Sequence, residues 1–145
     1  MIYDRPFLLR YVVTLAEHQI STDLHVKNIS GQDKLEFQAL FHSYLRVPSA
    51  LVQVTPLRGV RYRDKTVEST PIKTEERDAV RLSQVTDSTY LDASQRYVIT
   101  WPSGRLDIRS NNLKDVVLWN PQEALGAKLT DMESGGWYDV PSLIK

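Results

Sequence analysis

The sequence predicts an all-β protein, an antiparallel β-sandwich, and three observations support this fold class. Short stretches in which apolar and polar residues alternate with a period of two recur from residue 7 to residue 119, which is typical of strands with one buried face. Turn-forming residues separate these stretches at short intervals. Only residues 122–129 have a helical pattern, and that segment is short. Many brief strands with frequent turns favour a sandwich or a related all-β fold.

The first two strands are predicted to form a hairpin. Residues 10–15, entered from residues 7–9, and residues 20–27 each alternate, and residues 16–19 supply the turn between them. Residues 28–33 (NISGQD) have strong turn chemistry and separate this hairpin from the next strand. We therefore expect a strand pair with an inside and an outside face.

Residues 35–47 predict the most informative strand. With a period of two, one face carries the apolar residues Leu35, Phe37, Ala39, Phe41, Leu45 and Val47. The other face carries Glu36, Gln38, Leu40, His42, Tyr44 and Arg46. A core face opposite a set of hydrogen-bonding side chains and an imidazole is how a β-sandwich displays a polar ligand site.

The remaining predicted strands, each bounded by turn-forming residues, are 51–54, 60–64, 79–82, 96–101, 105–109 and 115–119. Residues 102–104 join two of them as a hairpin, and residues 111–112 mark another turn. Residues 66–77 are rich in charge and form either a loop or an edge hairpin, not a domain boundary. We expect one partial sandwich domain over residues 1–145.

Composition narrows the classes of function. The 145-residue chain has 18 lysines and arginines against 18 aspartates and glutamates, so neither nucleic acid nor an anionic membrane is expected as its main partner. A small anionic ligand held by a few arginines is compatible with this balance. The absence of cysteine excludes disulfides, thiolate chemistry and cysteine-ligated zinc. Without a signal-peptide pattern or a membrane-length apolar window, the expected location is the cytoplasm.

His42 is the first candidate for chemistry. An isolated strand histidine more often packs its ring and hydrogen-bonds a neighbour. Two features favour a functional role instead. Its face is polar although the opposite face is apolar, and Gln38, Tyr44 and Arg46 flank it there, where they could orient the ring or contact a ligand. An imidazole can donate and accept a proton near neutrality, which suits acid–base catalysis.

Other residues are open to two interpretations. Phosphate contact is an option for Arg46, Arg58, Arg61 and Arg63, because arginine forks match phosphate geometry, but scattered surface arginines are commoner. Trp119 is predicted to be a core residue. No paired spacing among His25, His42 and Asp87 supports a metal site.

Five segments, taken together, indicate a family: LHVKN at 24–28, FQALFHSYLRV at 37–47, TPLRGVRYRDK at 55–65, VTDSTY at 85–90 and DVVLWNP at 115–121. In this order and spacing they resemble the hexose-6-phosphate mutarotases (glucose-6-phosphate 1-epimerases) of the aldose-1-epimerase superfamily. Pro56 stands where glycine is common in that family. The resemblance runs from about residue 7 to residue 138.

The resemblance implies a galactose-mutarotase-type sandwich that interconverts the α and β anomers of a hexose 6-phosphate. A base takes the proton of the C1 hydroxyl while an acid protonates the ring oxygen; the ring opens, the aldehyde turns and the ring recloses. Neither a metal nor an organic cofactor is implied. His42 takes the role of general acid at the ring oxygen. Asp87 is assigned hydrogen bonds to sugar hydroxyls, and its alternative is a turn residue, because Thr86, Asp87 and Ser88 are common in turns.

The same resemblance sets expectations about the extent of the fold. Family members have sandwich strands before the equivalent of Phe7 and a general-base glutamate on a late strand, and nothing after Val140 matches that strand. We therefore expect a shortened mutarotase fold whose exposed sheet edges and apolar surface favour self-association. The alternatives to an active enzyme are a non-catalytic carbohydrate-binding sandwich and an interaction module.

Overall fold

The computed structural model describes residues 5–31, 33–69, 71–126, 128 and 142–144. The chain divides into two compact units, Met1–Ala39 and Leu40–Lys145, and each is described by itself. The described residues include no helix long and apolar enough to cross a membrane. Nearly all the regular structure is antiparallel strand, as the sequence predicts.

The first unit is a long hairpin. Strands β1 (Phe7–Ala16) and β2 (Gln19–Asn28) pair along their whole length around a two-residue turn. Below the hairpin, the Asn28 carboxamide accepts hydrogen bonds from the backbone and hydroxyl of Ser30 at 3.0 and 2.6 Å, which is an Asx turn. The predicted hairpin and the turn after it are confirmed. The predicted inside face is wrong, because the residues on both sides of the hairpin are nearly all exposed.

The second unit contains the remaining described strands and one short helix. In chain order these are β3 (His42–Tyr44), β4 (Gln53–Thr55), β5 (Arg61–Asp64), β6 (Lys73–Thr74), β7 (Val80–Arg81), β8 (Thr86–Tyr90), β9 (Arg96–Trp101), β10 (Gly104–Arg109), β11 (Val116–Asn120), α1 (Gln122–Gly126) and β12 (Ser142–Ile144). A 3₁₀ turn at Ser49–Leu51 precedes β4. The predicted helix begins at Gln122 as expected, and its predicted last residue, Leu129, lies outside the described residues.

These strands form two antiparallel sheets. The four-stranded sheet has the order β10-β9-β4-β7, and the six-stranded sheet has the order β3-β12-β11-β8-β5-β6. Charge-rich residues 66–77 contain β6, the edge strand of the larger sheet, so the edge-hairpin alternative is correct there. The turn predicted at residues 111–112 is also present, with Asn112 at a φ of 64°.

The core lies between the two sheets. Val54, Tyr97 and Ile99 from the smaller sheet and Tyr90 and Leu118 from the larger sheet belong to one buried cluster and are 3% exposed or less. Each of these residues alternates with more exposed neighbours along its strand, which is the pattern of a sandwich whose inner faces form the core. The predicted antiparallel β-sandwich is confirmed.

The predicted strand over residues 35–47 is wrong in its length. Only His42–Tyr44 is a strand, and residues 34–41 are irregular. The predicted core residue Phe37 is 57% exposed, whereas Val47 is buried at 7%. The physical reason is the ladder. Within the described residues, β3 pairs with β12 over three residues, and a strand extends as far as a neighbour accepts and donates its backbone hydrogen bonds.

Candidate functional site

One face of the six-stranded sheet gathers the polar and aromatic residues that sequence analysis singled out. Cross-strand partners in an antiparallel sheet point to the same side. The register pairs position 142 with Tyr44 and with Trp119, and pairs Trp119 with Asp87. A second row pairs Thr89 with both Val117 and Arg63, and it reaches His42 through position 144. We call this side the polar face; it comprises His42, Tyr44, Arg61, Arg63, Asp87, Thr89, Val117 and Trp119.

The opposite face of the same strands is the core face. Tyr90, Val116, Leu118 and Asn120 are each 1% exposed or less. On the polar face, His42, Tyr44 and Arg63 are exposed, and Asp87 and Trp119 are half-buried. The burial of one side therefore fixes which side chains of this sheet can meet a ligand, because a one-residue shift in register would exchange the two faces.

His42 lies among aromatic rings on the polar face. Its ring centroid is 4.5 Å from that of Tyr44, with 34° between the planes, and 6.5 Å from that of Trp119 in an edge arrangement. Aromatic pairs favour such tilted and edge geometries. The imidazole is thus exposed to solvent yet supported on two sides, an arrangement in which it can transfer a proton to a ligand on this face.

Trp119 is not the core residue that the sequence predicted. In the run VVLWN, the residues that face the core are Val116, Leu118 and Asn120, and Trp119 alternates with them onto the polar face. An indole beside an imidazole and a carboxylate gives this face an apolar platform between hydrogen-bonding groups. Flat aromatic surface with a few polar groups is the usual composition of a small-molecule site.

Asp87 is the second residue of β8, an inner strand with β11 on one side and β5 on the other. The turn alternative for this residue is therefore wrong, because both neighbouring strands bond to β8. The Lys65 ammonium lies 3.7 Å from Oδ1 of Asp87, and the Lys65 backbone N–H donates to the Asp87 carbonyl at 2.7 Å. Lys65 therefore extends the ladder one residue past β5 and places a cation beside the carboxylate.

The two other predicted substrate contacts lie outside the sheet. Gln38 is an exposed residue of the irregular segment in the first unit. Arg46 is exposed and follows β3 by two residues, beyond the last residue of its ladder. The sheet register that groups His42 with Asp87 and Trp119 does not include either of them.

A second polar cluster lies at the β5–β6 edge of the sheet. Glu75 is 3% exposed, and Arg77 donates to both of its oxygens at 2.8 and 2.7 Å while the Tyr90 hydroxyl donates at 2.7 Å. Burial acts to raise the pKa of Glu75, but the hydrogen bonds from Arg77 and Tyr90 outweigh it and hold that pKa at about 2. Burial raises the pKa of Tyr90. Because both carboxylate oxygens are already occupied, we assign this cluster a structural role.

A cavity of about 530 Å³ adjoins this cluster, lined by Tyr62, Lys73, Thr74, Glu75, Glu76 and Arg77. It includes neither His42 nor Asp87, so the candidate chemistry lies on the polar face and not in this cavity. Among the residues that the structure describes, no three histidine, aspartate or glutamate side chains group as a metal site.

The fold and this face define the class of the protein: an antiparallel β-sandwich of the mutarotase type with a polar face on its larger sheet. A family model described as aldose 1-epimerase matches residues 3–138 of the chain. The chain therefore belongs to the aldose 1-epimerase family, as the five sequence segments indicated.

Proposed function

We propose that this protein interconverts the α and β anomers of a hexose 6-phosphate on the polar face. The observation that carries the proposal is the grouping of His42, Trp119 and Asp87 on one side of the six-stranded sheet, with the core on the other side. Family membership supports a sugar as the ligand. The reaction needs acid–base groups alone, without metal or organic cofactor, and we further propose a cytoplasmic location.

In the proposed reaction, the His42 imidazolium protonates the ring oxygen as the bond from C1 to that oxygen breaks. The proton of the C1 hydroxyl leaves to a base, and the aldehyde forms. After rotation about the C1–C2 bond, the reverse transfers close the ring on the other face of the carbonyl. Asp87 accepts hydrogen bonds from sugar hydroxyls, and the Trp119 indole packs against the apolar face of the sugar ring.

The direct test is magnetisation exchange between the two anomers of glucose 6-phosphate, measured by NMR with and without the protein. We expect wild type to exceed the buffer rate. Asp87→Asn should lower kcat/KM by about tenfold, because a charge-assisted hydrogen bond to a sugar hydroxyl becomes a neutral one. Asp107→Asn, an exposed aspartate on β10 of the other sheet, is the matched control and should keep the wild-type rate. No rate above buffer for wild type would refute the enzymatic proposal.

One observation favours a second candidate, a carbohydrate-binding sandwich without turnover. Among the described residues of the six-stranded sheet, Asp87 is the one carboxylate on the polar face, and Lys65 is paired with it. Ring opening requires a base as well as an acid. Calorimetric titration separates the two candidates: binding of glucose 6-phosphate without anomer exchange would support the second.

Self-association is a further proposal, and the hairpin of the first unit favours it. Leu15 and Ile20 face each other across the hairpin and are 80% and 66% exposed, and Tyr11 and Val13 on the same side are 59% and 54% exposed. Apolar surface of this kind drives association in water. We expect light scattering after size exclusion to give a mass above that of one 16.7 kDa chain. Leu15→Lys should shift the mass toward the monomer, whereas Thr14→Lys, on the other side of the hairpin, should not.

A further inference from the structure

We propose that Arg61 and Arg63 of β5, together with Lys65 directly after it, form a basic stripe on the polar face and that this stripe is the subsite that holds the phosphate group of the sugar. The inference rests on the proposed function and assigns residues to its substrate specificity. Sequence analysis offered Arg61 and Arg63 only as two of several surface arginines. The structure adds that they alternate on one side of a strand, beside the strand that carries Asp87.

The geometry of the stripe follows from the strand. Arg63 pairs with Thr89, and the side chains of residues 61, 63 and 65 alternate with those of Tyr62 and Asp64, which are half-buried on the other side. Successive cations on one side of a strand have Cα atoms about 7 Å apart. A phosphate group with three acceptor oxygens can bridge cations at that separation.

The charges of the stripe are incompletely neutralised. Within the described residues, Lys65 pairs with Asp87, and neither guanidinium of Arg61 and Arg63 forms an ion pair. Three cations and one carboxylate leave a formal charge of +2. A phosphate monoester carries about −1.5 to −2 at neutral pH, so a single ligand group would balance it.

Some other arginines of the chain are neutralised by a nearby carboxylate, unlike Arg61 and Arg63. Arg105 donates to Asp107 at 2.8 and 2.7 Å, and Arg58 pairs with Asp78. Like charges that lie side by side repel each other. An anion that binds between Arg61 and Arg63 removes that repulsion. The relief of the repulsion therefore favours binding of the anion.

Thr89, which lies across from Arg63, adds an independent observation. Its hydroxyl oxygen is buried and has no hydrogen-bond partner among the described residues. Buried hydroxyls in native proteins are nearly always bonded. This hydroxyl is an unused hydrogen-bonding group directly across from Arg63.

The stripe lies at a suitable distance from His42. Arg63 and His42 belong to the same row of the sheet, and β12, β11 and β8 lie between their strands. Four strand spacings amount to about 19 Å between backbones. That distance can be spanned by an extended arginine side chain, a hexose 6-phosphate and an imidazole together, with the sugar ring over Trp119.

The test compares glucose 6-phosphate with glucose in wild type, Arg63→Ala, Arg63→Lys and the paired variant Arg61→Ala/Arg63→Ala. Calorimetry gives affinities at low and high salt, and NMR gives anomer exchange. Arg81→Ala, which removes an exposed arginine from the other sheet, is the matched control. We expect Arg63→Ala to weaken glucose 6-phosphate binding by about tenfold or more, a larger loss than for glucose. Arg63→Lys should restore part of it, because lysine keeps the charge without the fork.

The outcomes separate this inference from the proposed function. If stripe variants bind glucose 6-phosphate as wild type does, or lose no more affinity than Arg81→Ala, the subsite is wrong although anomer exchange continues. If glucose 6-phosphate binds in a stripe-dependent and salt-dependent manner but no exchange occurs, the subsite stands and the enzymatic function does not. If wild type binds neither sugar, both are overturned.

Discussion

Replacement of His42 by glutamine should lower the rate of anomer exchange by about 10²- to 10⁴-fold, the usual contribution of one positioned general acid. Glutamine keeps a hydrogen-bonding side chain of similar length but cannot donate a proton to the ring oxygen as an imidazolium can. His42 is exposed, and its ring contacts the exposed Tyr44 and the half-buried Trp119 rather than the core, so we expect the fold to be retained. The measurement is NMR exchange between the anomers of glucose 6-phosphate, with circular dichroism to verify the fold.

The control for this substitution is His18→Gln. His18 lies in the turn of the first hairpin with its side chain 87% exposed, next to Glu17, and this variant should exchange anomers at the wild-type rate. An unchanged rate in His42→Gln would remove His42 from the proposed mechanism. Loss of sugar affinity at an unchanged kcat would instead mean that His42 binds the sugar and does not transfer a proton.

Sequence analysis predicted the faces of the strands better than their lengths. The alternation around His42 correctly separates the exposed His42, Tyr44 and Arg46 from the buried Val47, but it wrongly placed the exposed Phe37 on the core face. It could not show that the strand stops at Tyr44, because strand length depends on a partner, β12, almost a hundred residues away. Side-chain periodicity is local, whereas a β ladder is a non-local property.

In the candidate site, too, local sequence predicted some features, and others depend on which strands pair. His42 and Asp87 could be named as candidates from the sequence, but the location of Trp119 on the polar face could not be predicted. Both sides of β11 are apolar in its first four residues, so the run VVLW gives no indication of which side faces the core. The approach of Lys65 to Asp87 depends on β5 and β8 being neighbours in the sheet. The run RYRDK did contain a usable signal, since arginine and lysine at every second position predict a basic side on a strand.

A second substitution should have a large effect on stability. Glu75→Gln is expected to lower the free energy of unfolding at pH 7 by about 3 kcal/mol, because the pKa of Glu75 falls from 4.5 to about 2 in the folded state, and one pKa unit corresponds to about 1.4 kcal/mol. Glutamine resembles the protonated carboxyl: it retains one acceptor oxygen but presents an NH₂ group to the Arg77 donors. A loss of this size is a large fraction of the stability of an ordinary domain.

The same linkage predicts a specific acid sensitivity. The carboxylate of Glu75 is favoured in the folded state, so its contribution to stability is complete above its ordinary pKa of 4.5. That contribution is lost progressively as the pH falls from about 4.5 toward 2. Urea unfolding of wild type at a series of pH values should show this decline. In Glu75→Gln the part of the decline that Glu75 causes should be absent, so the two stability curves converge near pH 2.

Glu76→Gln is the matched control. Glu76 is the residue next to Glu75 and its side chain is exposed, so this substitution should change the free energy of unfolding by less than about 0.5 kcal/mol.

Tyr90→Phe tests the hydrogen bonds of Glu75 from the Tyr90 side. It removes the hydroxyl bonded to Glu75 but leaves both Arg77 contacts, so it should cost about 1 kcal/mol. Glu75→Gln could instead unfold at the wild-type urea concentration and lose stability at low pH as wild type does. The buried carboxylate would then not stabilise the β6 edge of the sheet. The stability of that edge would then come from the apolar packing of Tyr62 on Tyr90, whose rings stack with centroids 5.1 Å apart.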